Sequence, residues 1–283
     1  MSKTQSRFTG ISKCVLSMTV LFGLVGSLRA AKAPQWAIDL YEAHTYEEMD
    51  YRLLRPLDFD AKKRYPVILS LHGGSGRSNK NIRNLRKWNT QLADGRLQDY
   101  PCYVLAPQTP KGWTPAELTK CKAIISGLPS VDLNRIYIMG HSMGGAGTYK
   151  FIQADPDYFA AAVASAGRGI KASNIKDGLN LWIFHGENDG TISIDHSHTL
   201  FAEMQAAGKP MKFTVIHKFA HGSSHAILEK EVGASGHESG YDAEWKRLVS
   251  FETKSSTGDT DPEPNVLKWM FSKSLDGSAV KGK

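Results

Sequence analysis

The stretch that most constrains this chain is Arg135 to Gly145, R-I-Y-I-M-G-H-S-M-G-G. Ile136 to Met139 read as a short buried strand. Gly140, Ser142 and Gly144 then fall at the spacing G-x-S-x-G, and a helix-compatible run follows from Ala146 to Gln153. A strand, a tight turn centred on a serine, and a helix form the layout that holds a hydroxyl exposed at the end of a sheet. Side chains at the flanking positions would collide with neighbouring backbone, which is why small residues stand there. Whatever the chain folds into must provide that strand-to-helix turn.

The rest of the sequence supplies the alternation such a turn needs. Met49 to Arg55 alternates in strand fashion. Tyr65 to Leu71, Y-P-V-I-L-S-L, is a near-continuous apolar run suited to a central strand covered on both faces. Further strands are expected at Cys102 to Ala106, over Tyr158 to Ala164, at Leu179 to Phe184 and at Lys212 to His217. Between them, helical patterns cover Lys80 to Ala93, Thr114 to Ile125 with a Thr114/Glu117 capping box, Asp195 to Ala207 and Asn265 to Ser272. Pro34 to Glu48 reads as helical or irregular. This order predicts an α/β fold with a mostly parallel sheet and helices on both faces. With 283 residues, 41% hydrophobic and 22% charged, residues 34–283 suffice for one such domain.

Residues 1–33 read differently. Lys3, Arg7 and Lys13 precede a mainly apolar run from Val15 to Leu28, and Ala30, Ala31 and Ala33 supply small residues for cleavage. This is the pattern of a secretory signal peptide, which implies a secreted or periplasmic protein. The leader holds five basic residues and no acid, so the formal net charge of +7 becomes +2 without it. The basic balance therefore points to no nucleic-acid partner. Cys102 and Cys121 then remain, either bridged, as an exported protein permits, or as two buried thiols. Neither C-x-x-C nor H-E-x-x-H is present, so no metal or other cofactor is expected.

A serine hydroxyl needs a base to take its proton and an acid to orient that base. Ser142 is followed by Asp189, in F-H-G-E-N-D-G, and by His221, in A-H-G-S-S-H, each just beyond an apolar strand. Glu187 competes for the acid and His225 for the base. The Tyr65–Leu71 strand ends in His72-Gly73-Gly74-Ser75-Gly76. Such a loop can offer the Gly74 N–H to a developing oxyanion, beside the N–H of Met143; His72 is read as structural. Trp113, in a loop after the Cys102–Ala106 strand, is either a wall of a substrate cleft or part of the core edge. About 222–264 forms an insert before the last helix. It is either a lid, with Tyr241 and Trp245 in a pocket wall, or a surface excursion.

R-I-Y-I-M-G-H-S-M-G-G, V-I-L-S-L-H-G-G, F-H-G-E-N-D and the His221 loop together resemble the α/β-hydrolase superfamily. More narrowly they resemble the secreted group of polyhydroxybutyrate-depolymerase-like, feruloyl and acetylxylan esterases, with "predicted peptidases" related to prolyl-oligopeptidase domains. The resemblance covers about residues 46–221 and the final helix. It implies Ser142 as nucleophile, Asp189 as acid, His221 as base, and Gly74 and Met143 at the oxyanion positions. It further implies a serine esterase cleaving small-molecule or polysaccharide-linked carboxylic esters, such as feruloyl or acetyl esters of plant polysaccharides. The alternatives are a serine peptidase and a non-catalytic binding module on the same fold.

Overall fold

Seven consecutive apolar or buried-type residues in one strand need cover on both sides, and Tyr65–Leu71 is buried along its whole length. The computed structural model describes residues 33–222, 227–228, 236–242 and 247–278. All but the last residue of the expected leader falls outside them. The strands are β1 (Glu42–Tyr46), β2 (Met49–Leu54), β3 (Tyr65–Leu71), β4 (Tyr103–Pro107), β5 (Val131–His141), β6 (Ala161–Ser165), β7 (Asn180–Gly186), β8 (Lys212–Ile216), β9 (Gly236–Asp242) and β10 (Arg247–Ser255). The helices are α1 (Gln35–Leu40), α2 (Lys87–Gln91), α3 (Pro115–Ser126), α4 (Met143–Ala154), α5 (Asp195–Ala206) and α6 (Val266–Phe271). The strands form one sheet in the order β1-β2-β4-β3-β5-β6-β7-β8-β10-β9. From β4 to β8 neighbours are parallel, and antiparallel pairs close both ends.

Alternate residues of the same strands feed two separate cores. Val67, Leu69, Ile136, Ile138, Ile183 and Phe213 pack with residues of α3, α4 and α5. Ile68, Val104, Tyr137, Met139 and Phe184 pack with Trp88 of α2 and the apolar face of α6. Each such aliphatic side chain contributes roughly 1.5–3 kcal/mol by leaving water, so the sheet is held from both faces. This arrangement also decides the cysteines. Cys102 lies in one core and Cys121 in the other, on opposite faces of the sheet, and both are free thiols. Burial pushes both thiols above their ordinary range.

Three stretches depart from the expectations. Pro34 to Glu48, read as helical or irregular, holds α1 but also β1, whose residues pair in antiparallel register with β2. Only Lys87–Gln91 of the Lys80–Ala93 stretch is α-helical, followed by a short π-helical turn at Leu92–Arg96. Asn81 and Asn84 bond instead to carbonyls of the sheet region, Tyr51 O at 2.9 Å and Ala106 O at 2.7 Å, which competes with helix formation. The stretch after His221 is, over Arg247–Ser255, neither lid nor surface excursion. Phe251 to Ser255 pair with β8, Phe251 is buried, and Thr253 Oγ1 meets Thr214 Oγ1 at 2.8 Å.

The chain leaves β3 in one direction to β4 and then returns past it to β5, so the β3/β5 boundary is a topological switch point. In open α/β sheets a crevice forms there, beyond the carboxyl ends of the strands. The Gly-rich loop and Ser142 both begin at that edge.

Candidate active site

Ser142 is the single residue between β5 and α4, and its backbone is left-handed, with φ 59° and ψ −118°. Such a conformation is costly for a residue with a side chain and persists only where its surroundings impose it. Here glycines do so. A Cβ on Gly140 would lie 2.1 Å from the Gly144 carbonyl oxygen, and one on Gly144 would lie 2.2 Å from that of Leu71. The Ser142 N–H donates to Ser165 O at 2.9 Å, and its carbonyl accepts the N–H of Ala146 at 2.9 Å. The turn is thereby tied to β6 and to the first turn of α4.

Asp189 sits in the loop after β7. Its Oδ1 accepts the N–H groups of Thr191 (2.9 Å) and Ile192 (3.0 Å), and its Oδ2 lies 2.8 Å from His221 Nδ1. Burial raises its pKa. The bonds from His185, His221, Ile192 and Thr191 outweigh that and hold the carboxyl well below the usual carboxylate range. His221 Nε2 lies 2.8 Å from Ser142 Oγ. A carboxylate only accepts, so Nδ1 carries the ring proton and Nε2 is free to accept from the serine hydroxyl. Gly186 makes the meeting possible: a Cβ there would lie 2.5 Å from Ala220 O and 2.6 Å from Phe219 O. The His221 loop therefore closes directly over the end of β7, held by Asn188 N–H to Phe219 O at 2.8 Å.

The competing residues are placed elsewhere or not described. The exposed Glu187 carboxylate accepts the Lys218 N–H at 2.9 Å and faces His217 at 3.4 Å, so it braces the loop. His225 lies outside the described residues, as does Trp245. Tyr241 stands in β9, in register with Leu248 of β10.

The two residues expected at the oxyanion positions each open a helical segment. Met143 is the first residue of α4, and Gly74 opens a 3₁₀ turn, Gly74–Gly76. Opening residues have no intrahelical acceptor for their N–H. Gly73 adjoins Ser142: a Cβ there would be 3.3 Å from Ser142 Cβ. His72 is fully buried. Its Nδ1 meets Gly73 O at 2.8 Å and its Nε2 accepts the Thr109 N–H at 3.1 Å. Burial, with the charges of Arg86 and Arg77 and against the bond to Gly73 O, lowers its pKa to about 4. It is a neutral brace for the loop, as expected.

Trp113 corrects the cleft-wall reading. It is 2% exposed and its Nε1 donates to His72 O at 3.0 Å. Gly147 of α4 gives it room, since a Cβ there would lie 2.5 Å from its ring. It is a strut between the glycine loop and α4, which is the core alternative.

Two neighbours had no role in the sequence reading. The His141 ring lies tilted at 45° against that of His221, with centroids 4.9 Å apart. His185, four residues before Asp189, lies fully buried with Nε2 3.3 Å from Asp189 Oδ2. The F-H-G-E-N-D motif contains it, but only its side-chain contacts reveal the role. Among the described residues no group of three His, Cys, Asp or Glu side chains is arranged to hold a metal ion. A cavity of about 750 Å³ beside Tyr65, Tyr100, Arg135 and Phe271 lies at the opposite ends of the strands and does not reach Ser142.

The model of the dienelactone hydrolase family matches residues 116–255, a span that includes Ser142, Asp189 and His221. No curated protein matches the sequence. Among solved structures, a thermostable esterase is 30% identical with a TM-score of 0.64, over 69% of this chain and 61% of the esterase. The chain thus spans less than two thirds of that protein's length. A CE1 ferulic acid esterase from Anaeromyces mucronatus shares the fold at 12% identity and a TM-score of 0.52, over 67% of this chain and 89% of its own. An acylaminoacyl peptidase from Pyrococcus horikoshii does so at 16% identity and 0.50, over 66% of this chain and 39% of its own.

Proposed function

We propose that this chain, a hydrolase of the α/β-hydrolase superfamily, is a secreted serine esterase. It cleaves carboxylic esters through Ser142, His221 and Asp189. The observation that carries the reading is the unbroken line from Ser142 Oγ to His221 Nε2, 2.8 Å, and from His221 Nδ1 to Asp189 Oδ2, 2.8 Å, set on a left-handed serine at a switch point. The similarity to an esterase at 30% identity favours esters over amides. The likeness to ferulic acid esterase is one of fold; the feruloyl and acetyl esters of polysaccharides that the sequence resemblance implies are the first substrates to test.

In the first half-reaction His221 Nε2 takes the Ser142 proton as Oγ bonds to the substrate carbonyl carbon. The tetrahedral oxyanion is held by the N–H groups of Met143 and Gly74; such donors are worth roughly 3–4 kcal/mol each in turnover. Asp189 keeps the His221 ring in the right tautomer and stabilises the imidazolium. As the intermediate collapses, His221 returns the proton to the departing alcohol, leaving an acyl-serine. Water then attacks with His221 again as base, and Ser142 regains its proton.

The test is a hydrolysis panel on mature protein: short p-nitrophenyl esters, methyl ferulate, acetylated xylan and a peptide amide, with Ser142→Ala as control. Ester turnover abolished by Ser142→Ala is the expected result. Amide cleavage without ester preference would overturn the ester assignment, and no turnover at all would favour a binding module. Secretion is tested by N-terminal sequencing of protein recovered outside the cytoplasm, where a start within Ala31 to Pro34 is expected.

A further inference from the structure

We propose that the catalytic line has two further members, His185 and Ser197, with His185 acting as a positioning residue for Asp189. This rests on the serine-hydrolase reading above. His185 is the penultimate residue of β7 and has no exposed surface. Its Nε2 lies 2.9 Å from Ile192 O and 3.3 Å from Asp189 Oδ2, and its Nδ1 lies 2.7 Å from Ser197 Oγ. Ser197, 2% exposed, is the third residue of α5.

The proton positions follow from the partners. A carbonyl and a carboxylate oxygen only accept, so Nε2 carries the hydrogen and shares it between them in a three-centre bond. Nδ1 is then bare and accepts the Ser197 hydroxyl. Every bond in the line points toward Asp189: Ser142 to His221 to Asp189 from one side, Ser197 to His185 to Asp189 from the other. Oδ1 is filled by the N–H groups of Thr191 and Ile192. Oδ2 is the oxygen both imidazoles share. With Oδ1 held by two N–H groups and Oδ2 by His185, the carboxylate cannot rotate, so Oδ2 stays aimed at His221 Nδ1. As a donor to Oδ2, His185 fixes that aim. The chain of contacts anchors the acid in α5, an element that carries no other catalytic group. Other titratable groups near the line are His141, whose ring is tilted against that of His221, and His198 and Asp195 of α5.

The test uses His185→Phe, which removes the donor at similar bulk, His185→Gln, which restores a donor near the Nε2 position, and Ser197→Ala, which frees the His185 ring. Turnover is normalised to active sites titrated with a fluorophosphonate, so misfolded protein is not counted. His185→Phe is expected to lose roughly 10- to 100-fold in kcat with KM little changed. The acid limb of its kcat/KM profile should move to higher pH, because Asp189 gives up one donor and holds the His221 proton more tightly. His185→Gln should recover most of both effects, and Ser197→Ala should shift the limb in the same direction by less. A packing role alone would reduce the titratable fraction without moving the limb. Unchanged kcat and limb in His185→Phe overturn the proposal; if that variant fails to fold, an unchanged limb in Ser197→Ala does so. Full turnover in Ser142→Ala would instead bring down the serine-hydrolase reading itself.

Discussion

Replacing Gly144 by alanine isolates the geometry on which the chemistry depends. At an ordinary helical position that change stabilises by about 0.5–1 kcal/mol. Here the sign reverses. The new carbon would lie 2.2 Å from Leu71 O and 2.8 Å from His72 O, both main-chain atoms, against 3.4 Å for ordinary contact. One of two backbones must retreat by about 1 Å, and overpacking of this kind costs about 1–3 kcal/mol. Leu71 ends β3, and His72 opens the loop that carries Gly74, while α4 carries Met143. The retreat therefore separates the two N–H groups proposed to share one oxyanion, and a displacement near 1 Å costs roughly 100-fold in turnover. Gly74→Ala is the matched control. Nothing lies within 4 Å of the added carbon, and the N–H is retained, so stability should stay within about 0.5 kcal/mol and kcat near wild type. The assay is kcat on a short p-nitrophenyl ester, normalised by active-site titration, with thermal denaturation alongside. Wild-type turnover and Tm in Gly144→Ala, or an equal loss in Gly74→Ala, would refute the reasoning.

Ser142→Ala and His221→Ala should each lower kcat by about 10⁴- to 10⁶-fold with Tm little changed, and their double variant should lose no more than the worse single; independent, multiplying losses would contradict a shared line. The pKa of His72 is about 4 in the folded chain, below its ordinary value, so the unfolded chain binds more protons between about 6.5 and 4. Stability present above pH 6.5 should therefore decline by up to about 3 kcal/mol toward pH 4. Urea unfolding at several pH values should show that decline, shallower in His72→Gln; equal slopes would exclude His72 as its source. Cys102 and Cys121 should resist a thiol reagent in native protein and react with two equivalents after denaturation. Dithiothreitol should leave Tm unchanged, and a mass two hydrogens lighter would contradict the separation of the cysteines across the sheet.

The legible parts of the fold were those encoded by neighbours in sequence. The Thr114/Glu117 capping box and the helix it starts are in place, and the run from Tyr65 to Leu71 is the buried strand its composition predicts. The illegible parts depend on distant partners. Lys80 to Ala93 has helical composition, yet Asn81 and Asn84 spend their amides on carbonyls 22 to 37 residues away. Arg247 to Ser255 carries no strong apolar alternation. It is a strand because Phe251 and Thr253 meet Ile216 and Thr214 across β8, and no local pattern announces that meeting.

The site divides the same way, and its most compact stretch shows why. His185-Gly186-Glu187-Asn188-Asp189 could be read for its acid, because an aspartate in a loop after a strand, between serine and histidine in chain order, suits a known arrangement. The other residues look like strand end and turn. In three dimensions each has a task. Gly186 lacks the Cβ that would strike Ala220 O at 2.5 Å, so the His221 loop can approach. Glu187 takes the Lys218 N–H and Asn188 N–H bonds Phe219 O, fixing that loop from below. His185 reaches the far side of the same carboxylate oxygen that His221 uses. Five consecutive residues thus position a histidine 32 residues further along the chain. A substitution at Gly186 should consequently cost turnover through His221, although the glycine touches neither the serine nor the imidazole.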